Sequence, residues 1–253
     1  MRRQGVLLIA HRGASALAPE NTKSAIQLAM RLGAEMIELD VQLTHDRRLV
    51  IFHDERLERT TNGRGVLSRW RYRNLARLDS GSWFAPRFAG ERILLLSKAL
   101  QTIRAPHRAN LELKRTSRNT ALIRQMVQCL RWTRSARRVL VSSFDPALLV
   151  LLRAANPHIA RALLCHRNPN EALRKTISLG CVAFHPHKSL VSRLLIDGAH
   201  AAGLRVHAWS VDRLDEASRL IRLGVDGLVT NDPAHLRAVC SSRGLAPTIR
   251  LML

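Results

Sequence analysis

Two histidine segments and two acidic segments are the parts of this chain best suited to chemistry. His11 opens the run His-Arg-Gly-Ala-Ser, and His53 stands in Phe-His-Asp. Glu38 and Asp40 lie between them, and Glu112 follows later in Leu-Glu-Leu-Lys. Imidazole titrates near neutral pH, whereas clustered carboxylates suit a hard divalent cation. The combination predicts metal-assisted attack on a phosphate ester, with the two histidines as proton-transfer groups.

A cationic side chain stands beside one of the histidines and beside one of the acids. Arg12 and Lys114 are predicted to contact phosphate oxygens, because Arg can grip two oxygens as a fork and Lys acts as a point charge. As an alternative, Lys114 bridges to Glu38 or Asp40. Glu20 and Asn21 either brace the metal ligands or cap the first helix. Trp209 either contacts the substrate or fills the core, and His185 is a further candidate for substrate contact.

Short β-rich runs alternate with helical patterns along the chain. The predicted strands cover residues 6–10, 36–40, 109–113, 138–142, 159–164, 181–184, 205–209 and 225–229. The predicted helices cover 21–32, 117–133, 146–155, 169–178, 191–202, 214–223 and 233–241. Eight strand–helix units in 253 residues predict an α/β protein with a (β/α)8 TIM barrel. A doubly wound sheet is the alternative, but no Gly-rich nucleotide loop follows the first strand.

One connection is too long for this alternation. More than fifty residues separate Phe52 from Ala109, with turn signals at Asn62-Gly63 and Ser80-Gly81. We therefore expect a small insertion, at about residues 54–108, between the second and third barrel strands. A strand at 49–52 leads into it, and residues 1–253 are predicted to form one domain.

In a barrel, the functional side chains follow the carboxyl ends of the strands. Residues at i and i+2 of a strand project to the same side, so Glu38 and Asp40 converge. Together with Glu112 they would repel one another in an apolar mouth unless a cation neutralised them. Oxygen ligands of this kind predict Mg²⁺ or Ca²⁺. The alternative is that the abundant arginines pair with these acids as salt bridges.

The same residues stand within a series of motifs that resembles the glycerophosphodiester phosphodiesterase family. In chain order the motifs are HRG, PENT, IELDVQLT, FHD, RTTNGRG, LDSGSWF, FAGERI, LELK, SSF and GVDGLVTNDP. The resemblance spans nearly the whole chain and is densest before Lys114. It implies the same insertion, a catalytic role for His11 and His53, and hydrolysis of glycerophosphodiesters to glycerol 3-phosphate and an alcohol such as choline or ethanolamine.

Two stretches depart from the family pattern. Ile93-Leu94-Leu95-Leu96 stands where the family often shows Ile-Pro-Thr-Leu, which leaves open how the insertion returns to the barrel. Trp209-Ser210-Val211-Asp212 replaces a common Trp-Thr-Val-Asn. The proposed metal ligands and histidines are all retained.

The net charge of +22 is extreme, and it comes from 36 Arg and five Lys spread throughout the chain. We interpret it as compositional bias with weak steering of anions, including weak association with anionic membrane surfaces. Aromatic residues make up only 4%, so a specific nucleic-acid interface, with aromatics interleaved in a basic patch, is not expected. Two rival functions remain: a lysophospholipase D-like enzyme acting on lipid at a membrane, and a non-catalytic basic barrel that binds anions.

No apolar run approaches the roughly 20 residues that span a bilayer. The start, Met1-Arg2-Arg3 followed by an apolar stretch at 6–10, imitates a secretory signal, but cleavage nearby would remove His11. We therefore expect that stretch to be a strand and the protein to be cytoplasmic. The four cysteines, Cys129, Cys165, Cys181 and Cys240, match no zinc or redox spacing and are predicted to be buried reduced thiols.

Overall fold

The computed structural model describes residues 5–242, with side chains as far as residue 237. Eight parallel strands form a closed barrel, because β1 pairs with both β2 and β9. The barrel strands are β1 Leu7–Ala10, β2 Met36–Leu43, β4 Arg108–Leu113, β5 Val139–Ser143, β6 Ala160–Cys165, β7 Ala183–Pro186, β8 Arg205–Ala208 and β9 Gly227–Thr230. The predicted (β/α)8 barrel is confirmed, and every predicted barrel strand has its counterpart.

Helices follow the barrel strands and cover the outside of the sheet. They are α1 Lys23–Arg31, α3 Leu96–Thr102, α4 Asn119–Trp132, α5 Pro146–Ala155, α6 Pro169–Ser178, α7 Arg193–Ala201, α8 Leu214–Leu223 and α9 Pro233–Ser242. Their ends carry ordinary helix signals. Thr22 accepts a hydrogen bond from the Ala25 amide at the start of α1, and Gly224 ends α8 in the left-handed conformation.

The interior of the barrel changes character along its axis. An apolar layer from six strands fills its middle, namely Ile9, Met36, Leu140, Ala162, Ala183 and Val229. The alternate residues of each strand pack outward against the helices. Because strand residues two apart face the same side, the next inward positions after Ile9, Met36 and Val229 are polar. They are His11, Glu38 and Asn231.

The long connection from β2 to β4 begins with β3 Leu49–Ile51, which pairs antiparallel with β2, confirms the predicted strand at 49–52 and leads into the insertion. A separate apolar cluster supports the residues that follow, among them α2 Tyr72–Leu75. The cluster contains Val50, Phe52, Leu57, Leu67, Leu75 and Ile93. The chain returns through a bridge between Val50 and Leu95 and enters α3 directly, so the absent Pro-Thr pair does not prevent the return.

Three of the cysteines belong to the part whose side chains are described. Cys129, Cys165 and Cys181 are free, the last two buried and the first half-buried. Burial raises the pKa of the Cys181 thiol to about 11. The side chain of Cys240 and residues Met1–Arg3 lie outside the described part. Within residues 5–242, no helix is both long and apolar enough to cross a membrane.

Candidate active site

The loop after β1 turns sharply so that His11 and Arg12 reach the barrel mouth. Gly13 has φ of +84°, and a Cβ there would lie 2.6 Å from the Ala25 carbonyl carbon. Only glycine fits both the left-handed backbone and this close approach to α1. Arg12 also has a positive φ, 56°, which is uncommon for a side chain of this size. The loop geometry therefore explains the glycine of the His-Arg-Gly motif.

Three carboxylates converge at the mouth as predicted. One oxygen from each of Glu38, Asp40 and Glu112 can be chosen so that all three lie within 4.8 Å of one another. Glu38 and Asp40 are buried, and Glu112 is half-buried. The pairing of β2 with β4 places Asp40 directly beside Glu112. The three acids thus form one cluster across two neighbouring strands.

Cations reach only part of this cluster. The Lys114 ammonium contacts Glu112 and lies 2.8 Å from Asp40 Oδ1, and the Arg12 guanidinium lies 3.3 Å from Asp40 Oδ2. The alternative in which Lys114 bridges to Asp40 is therefore realised, and an arginine, Arg12, also pairs with Asp40. Glu38 differs: its Oε2 accepts the Arg12 backbone amide at 2.9 Å, but its buried Oε1 has no hydrogen-bond partner.

The pKa values separate Asp40 from the other two acids, because burial and then repulsion from Asp40 raise the pKa of Glu112 despite its contact with Lys114. Burial alone would raise the pKa of Asp40, but the nearby charges of Lys114 and Arg12 outweigh it and lower that pKa. Burial, followed by repulsion from Asp40 and Glu112, raises the pKa of Glu38 well above its ordinary value. Glu38 is distinguished from Glu112 by its buried Oε1 atom, which has no hydrogen-bond partner. A buried carboxylate oxygen without a partner, beside two more carboxylates, fits a hard divalent cation.

His11 faces this cluster with one nitrogen and is held by the other. Its Nδ1 lies 2.7 Å from Asn231 Oδ1, and its Nε2 lies 4.0 Å from Glu38 Oε2. The Asn231 amide nitrogen donates to Asp212 at 2.6 Å, which leaves the amide oxygen to accept from His11. Burial first, and then the charge of Arg12, lowers the pKa of His11. A neutral ring with its hydrogen on Nδ1 presents the Nε2 lone pair to the cluster.

His53 is connected to the same mouth through a chain of ion pairs. Its Nδ1 lies 2.6 Å from Asp54 Oδ1, and Arg59 donates to both oxygens of Asp54 at 2.6 and 3.0 Å. Arg59 also donates to both oxygens of Glu20, at 2.8 and 2.7 Å, and Glu20 accepts from Arg12 at 2.8 Å. Hydrogen bonding from Arg59 lowers the pKa of Asp54 to about 2. Both predicted histidines are thus oriented by partners.

Glu20 and Asn21 both lie behind the cluster rather than in it. The Asn21 amide nitrogen donates to Asp40 Oδ2 at 2.8 Å, and the side chain is buried. Burial alone would raise the pKa of Glu20, but Arg59 and Arg12 lower it. The cap of α1 comes from Thr22 instead. This geometry favours the bracing role over the capping role for both residues.

Rings occupy the opposite side of the mouth. Trp209 lies between Phe144 and His187, with ring centroids 5.4 and 5.1 Å away, and Phe144 also contacts His166. His185 is different, because it is only 1% exposed and its Nε2 lies 3.0 Å from His207 Nδ1. Substrate contact by Trp209 and by His185 stays a prediction, which the burial of His185 disfavours for that residue.

Comparison with known proteins agrees with this architecture. Residues 11–235 match the model of the glycerophosphoryl diester phosphodiesterase family. The chain belongs to this family. The match covers His11, the acidic cluster, the insertion and the aromatic side of the mouth. It confirms the predicted family and the prediction that the chain is a phosphodiesterase enzyme.

Individual relatives are similar over nearly their whole length. A glycerophosphodiester phosphodiesterase of Caldanaerobacter subterraneus is 35% identical over 232 residues, covering 91% of this chain and 96% of the relative. One of Bacillus altitudinis is 33% identical over 234 residues, covering 89% and 94%. A phosphodiesterase structure from Oleispira antarctica, with its product sn-glycerol-3-phosphate, has a TM-score of 0.88 at 31% identity, covering 94% of this chain and 97% of that one.

Sequence reasoning missed three residues that orient this site. Asn231 holds His11, Asp54 holds His53, and Arg59 joins Asp54 to Glu20. Asp54 and Arg59 stand in the Phe-His-Asp and Arg-Thr-Thr-Asn motifs, and Asn231 in Thr-Asn-Asp-Pro. The motifs were therefore visible, but they do not reveal which distant side chain each residue meets.

Proposed function

We propose that this enzyme hydrolyses glycerophosphodiesters to glycerol 3-phosphate and an alcohol. The main supporting observation is the meeting of His11 with the cluster of Glu38, Asp40 and Glu112, in which Glu38 Oε1 is buried without a partner. The relatives named above bear this activity in their names, and the Oleispira antarctica structure contains glycerol 3-phosphate. Family membership and site chemistry thus favour the same reaction.

A divalent cation, Mg²⁺ or Ca²⁺, is part of the proposal. Glu38, Asp40 and Glu112 would hold it, since their oxygens converge and Glu38 Oε1 is buried without a hydrogen-bond partner. When bound, such an ion polarises a phosphoryl oxygen and stabilises charge that develops in the transition state. Lys114, which contacts two of these acids, would then be free to meet a phosphate oxygen.

The histidines carry the protons in this proposal. One imidazole accepts the proton of the attacking oxygen, which belongs to water or to the glycerol hydroxyl of the substrate, and the other donates a proton to the leaving alkoxide. If the glycerol hydroxyl attacks, a cyclic phosphate forms as the alcohol leaves, and water then opens it to glycerol 3-phosphate. Asn231 and Asp54 hold the Nδ1 atoms, so each ring has Nε2 available for this transfer. Arg12, aligned by Glu20, faces the phosphate oxygens.

A substrate panel tests the proposal. Purified protein is assayed with glycerophosphocholine, glycerophosphoethanolamine and glycerophosphoglycerol, with and without Mg²⁺ or Ca²⁺, and glycerol 3-phosphate is quantified. Metal-dependent release of glycerol 3-phosphate is expected. Micellar lysophosphatidylcholine serves as the competing substrate, and its preferential cleavage would favour the lysophospholipase D-like alternative. Release of no glycerol 3-phosphate from any diester, with metal present, would refute the proposal.

A cytoplasmic location and weak membrane association stay predictions. Cell fractionation with an antibody against the native protein tests the first. Sedimentation with anionic vesicles at increasing salt tests the second, because an association driven by the charge of +22 should weaken as salt screens it.

A further inference from the structure

Two neighbouring segments form one surface at the end of the barrel opposite the mouth. Residues 103–108 lead into β4, and residues 131–138 lead into β5. Because the two strands are parallel and paired, both segments lie at the amino-terminal end of the barrel. Arg138 joins them, since its Nη1 donates to the carbonyl oxygens of Ile103 and His107 at 3.0 and 3.3 Å.

Five arginines and one indole project from this surface into solvent. We call this set the basic face, and its members are Arg104, Arg108, Arg131, Trp132, Arg134 and Arg137. Within the part of the chain that the structure describes, none of the five guanidinium groups pairs with a carboxylate. The reason lies in the sequence, which has no Asp or Glu between Glu112 and Asp145. Like charges gathered in this way create a positive potential that an anionic surface can neutralise.

Positive charge at the mouth is handled differently. Arg12 and Lys114 both contact Asp40 there, so their charge is offset within the protein. At the amino-terminal end, the nearest carboxylates are engaged by other groups. Glu35 accepts a backbone amide of β1 at 3.0 Å, and Asp226 lies 2.8 Å from His200. The two ends of the barrel therefore differ in how much positive charge they present to solvent.

Trp132 distinguishes the basic face from a merely charged surface. It is the last residue of α4 and is 67% exposed. An amphipathic indole beside arginines suits the headgroup level of a bilayer, where the ring enters the interface and the guanidinium groups meet phosphates. Neither segment contains a second Trp, or a Phe or Tyr, on which successive bases of a nucleic acid could stack. The basic face therefore fits an anionic lipid surface better than a polynucleotide.

We propose that the basic face docks on anionic phospholipid headgroups, with the Trp132 ring in the interface and the mouth directed away from the bilayer. Net charge alone would attract the protein without a preferred orientation, whereas this face selects one. Strand β4 begins at Arg108 and carries Glu112 toward the opposite end. A bilayer at the basic face thus leaves the mouth open to dissolved diesters. The inference does not depend on which diester the site cleaves.

Two variants of equal net charge separate the basic face from the overall charge. The first carries Arg131→Gln, Arg134→Gln and Arg137→Gln. The second, the matched control, changes three exposed arginines within seven residues of the insertion and carries Arg71→Gln, Arg73→Gln and Arg77→Gln. Binding to vesicles of equimolar phosphatidylcholine and phosphatidylserine is measured by co-sedimentation at low salt. Each arginine near an anionic surface is worth about fivefold in binding, so the first variant should bind about 100-fold more weakly than wild type and the second within a few fold of it.

Fluorescence quenching by brominated lipid in the same vesicles locates the indole. Trp132→Phe should remove most of the quenching that vesicle binding causes. Trp83→Phe, at an exposed indole in the insertion, is the control and should retain it. Because Trp209 lies at the mouth, its fluorescence should not be quenched in the proposed orientation.

Three results would overturn the inference. The first is a wild-type protein that does not bind the anionic vesicles at low salt, or an equal loss of binding in the two arginine variants. The second is unchanged quenching in Trp132→Phe, which decides the question even if the arginine variants do not fold. The third is tighter binding of a single-stranded oligonucleotide than of vesicles, lost in the first arginine variant, which would assign the basic face to nucleic acid instead.

Discussion

On one side of the barrel mouth, the strand positions that face the axis end in carboxylates and an imidazole. On the other side, the same positions of β5 to β8 end in rings. The first side includes His11, Glu38, Asp40 and Glu112. The second includes Trp209 with its neighbouring rings. We call them the charged side and the ring side. Their strands are alike, so their difference lies in how the side chains are held.

On the charged side, each group is held by another charge or by a strong polar partner. Asp40 has Arg12, Lys114 and Asn21 around it, and Arg59 joins two more carboxylates. Removing one partner there leaves the other charge buried without compensation, which is costly in free energy. On the ring side, Trp209 is held by packing and by one backbone carbonyl. The comparison teaches that variants on the charged side should affect turnover, and those on the ring side should affect selectivity.

The largest effect should come from the metal. Chelation should abolish activity, and Mg²⁺ or Ca²⁺ should restore it. Glu38→Gln should prevent this recovery, yet raise the thermal stability of the metal-free protein, because it removes the carboxylate whose pKa burial and two acidic neighbours raise. Thermal melts with and without metal measure both effects. Glu58→Gln, at an exposed carboxylate in the insertion, is the control. Full activity after exhaustive chelation would remove the cation from the mechanism.

The histidines come next. His11→Ala and His53→Ala should fold normally and each lower kcat by about 10²- to 10⁴-fold, the usual size of a general acid–base contribution. His158→Ala, at an exposed histidine, should leave kcat unchanged. Steady-state kinetics with saturating metal is the measurement. Near-normal turnover in either site variant would exclude that residue from proton transfer.

Arg59 should matter through the residues it aligns. Arg59→Gln should lower kcat by about 10- to 100-fold with a smaller change in KM, because Asp54 and Glu20 lose their shared partner and His53 and Arg12 lose their alignment. Arg59→Lys should restore little of the kcat, since an ammonium cannot donate to both oxygens of Asp54 and of Glu20 at once as the guanidinium does. Arg56→Gln, three positions earlier and paired only with Glu58 among the described residues, is the matched control. Equal kcat in the two Gln variants would show that this network is structural only.

The smallest effect concerns stability on the ring side. Burial lowers the pKa of His207 to about 4 and also lowers that of His185, which adjoins it. Below the unfolded value of about 6.5 the unfolded chain binds more protons than the native protein, so the free energy of unfolding falls as the pH drops from about 6.5 to about 4. His207→Gln should reduce this fall in the free energy of unfolding by about 3 kcal/mol over that interval. Denaturant titrations at several pH values measure the free energy of unfolding of both proteins. The same pH dependence in wild type and in His207→Gln would contradict a buried neutral pair of His185 and His207.

The barrel was predictable because short apolar runs alternate with helical patterns along the chain. This pattern located all eight barrel strands to within a few residues. Helix α3 was missed, because its seven residues lie within the long connection that was predicted to be an insertion. The antiparallel direction of β3 could not be read either, since a three-residue apolar strand is the same pattern in both directions.

The site was predictable in its residue types but not in its pairings. Glu38, Asp40 and Glu112 were grouped correctly, because adjacent parallel strands end at one edge. The partners of Arg59 and Asn231 lie 39 and 220 positions away, and a single sequence does not encode such contacts visibly. Trp209 was named as a candidate, but its contacts with Phe144 and His187 were missed for the same reason: these residues follow different strands and meet only when the barrel closes.

The hydrogen bond between His11 and Asn231 crosses the seam where β1 meets β9. During synthesis, the ribosome makes β1 long before β9, so a growing chain contains Glu38, Asp40 and Glu112 well before Asn231 can orient His11. The site should therefore become competent only after β9 has left the ribosome and paired with β1, because that pairing brings Asn231 to His11. Nascent or prematurely terminated chains should be inert toward phosphodiesters, even where their early strands are already folded.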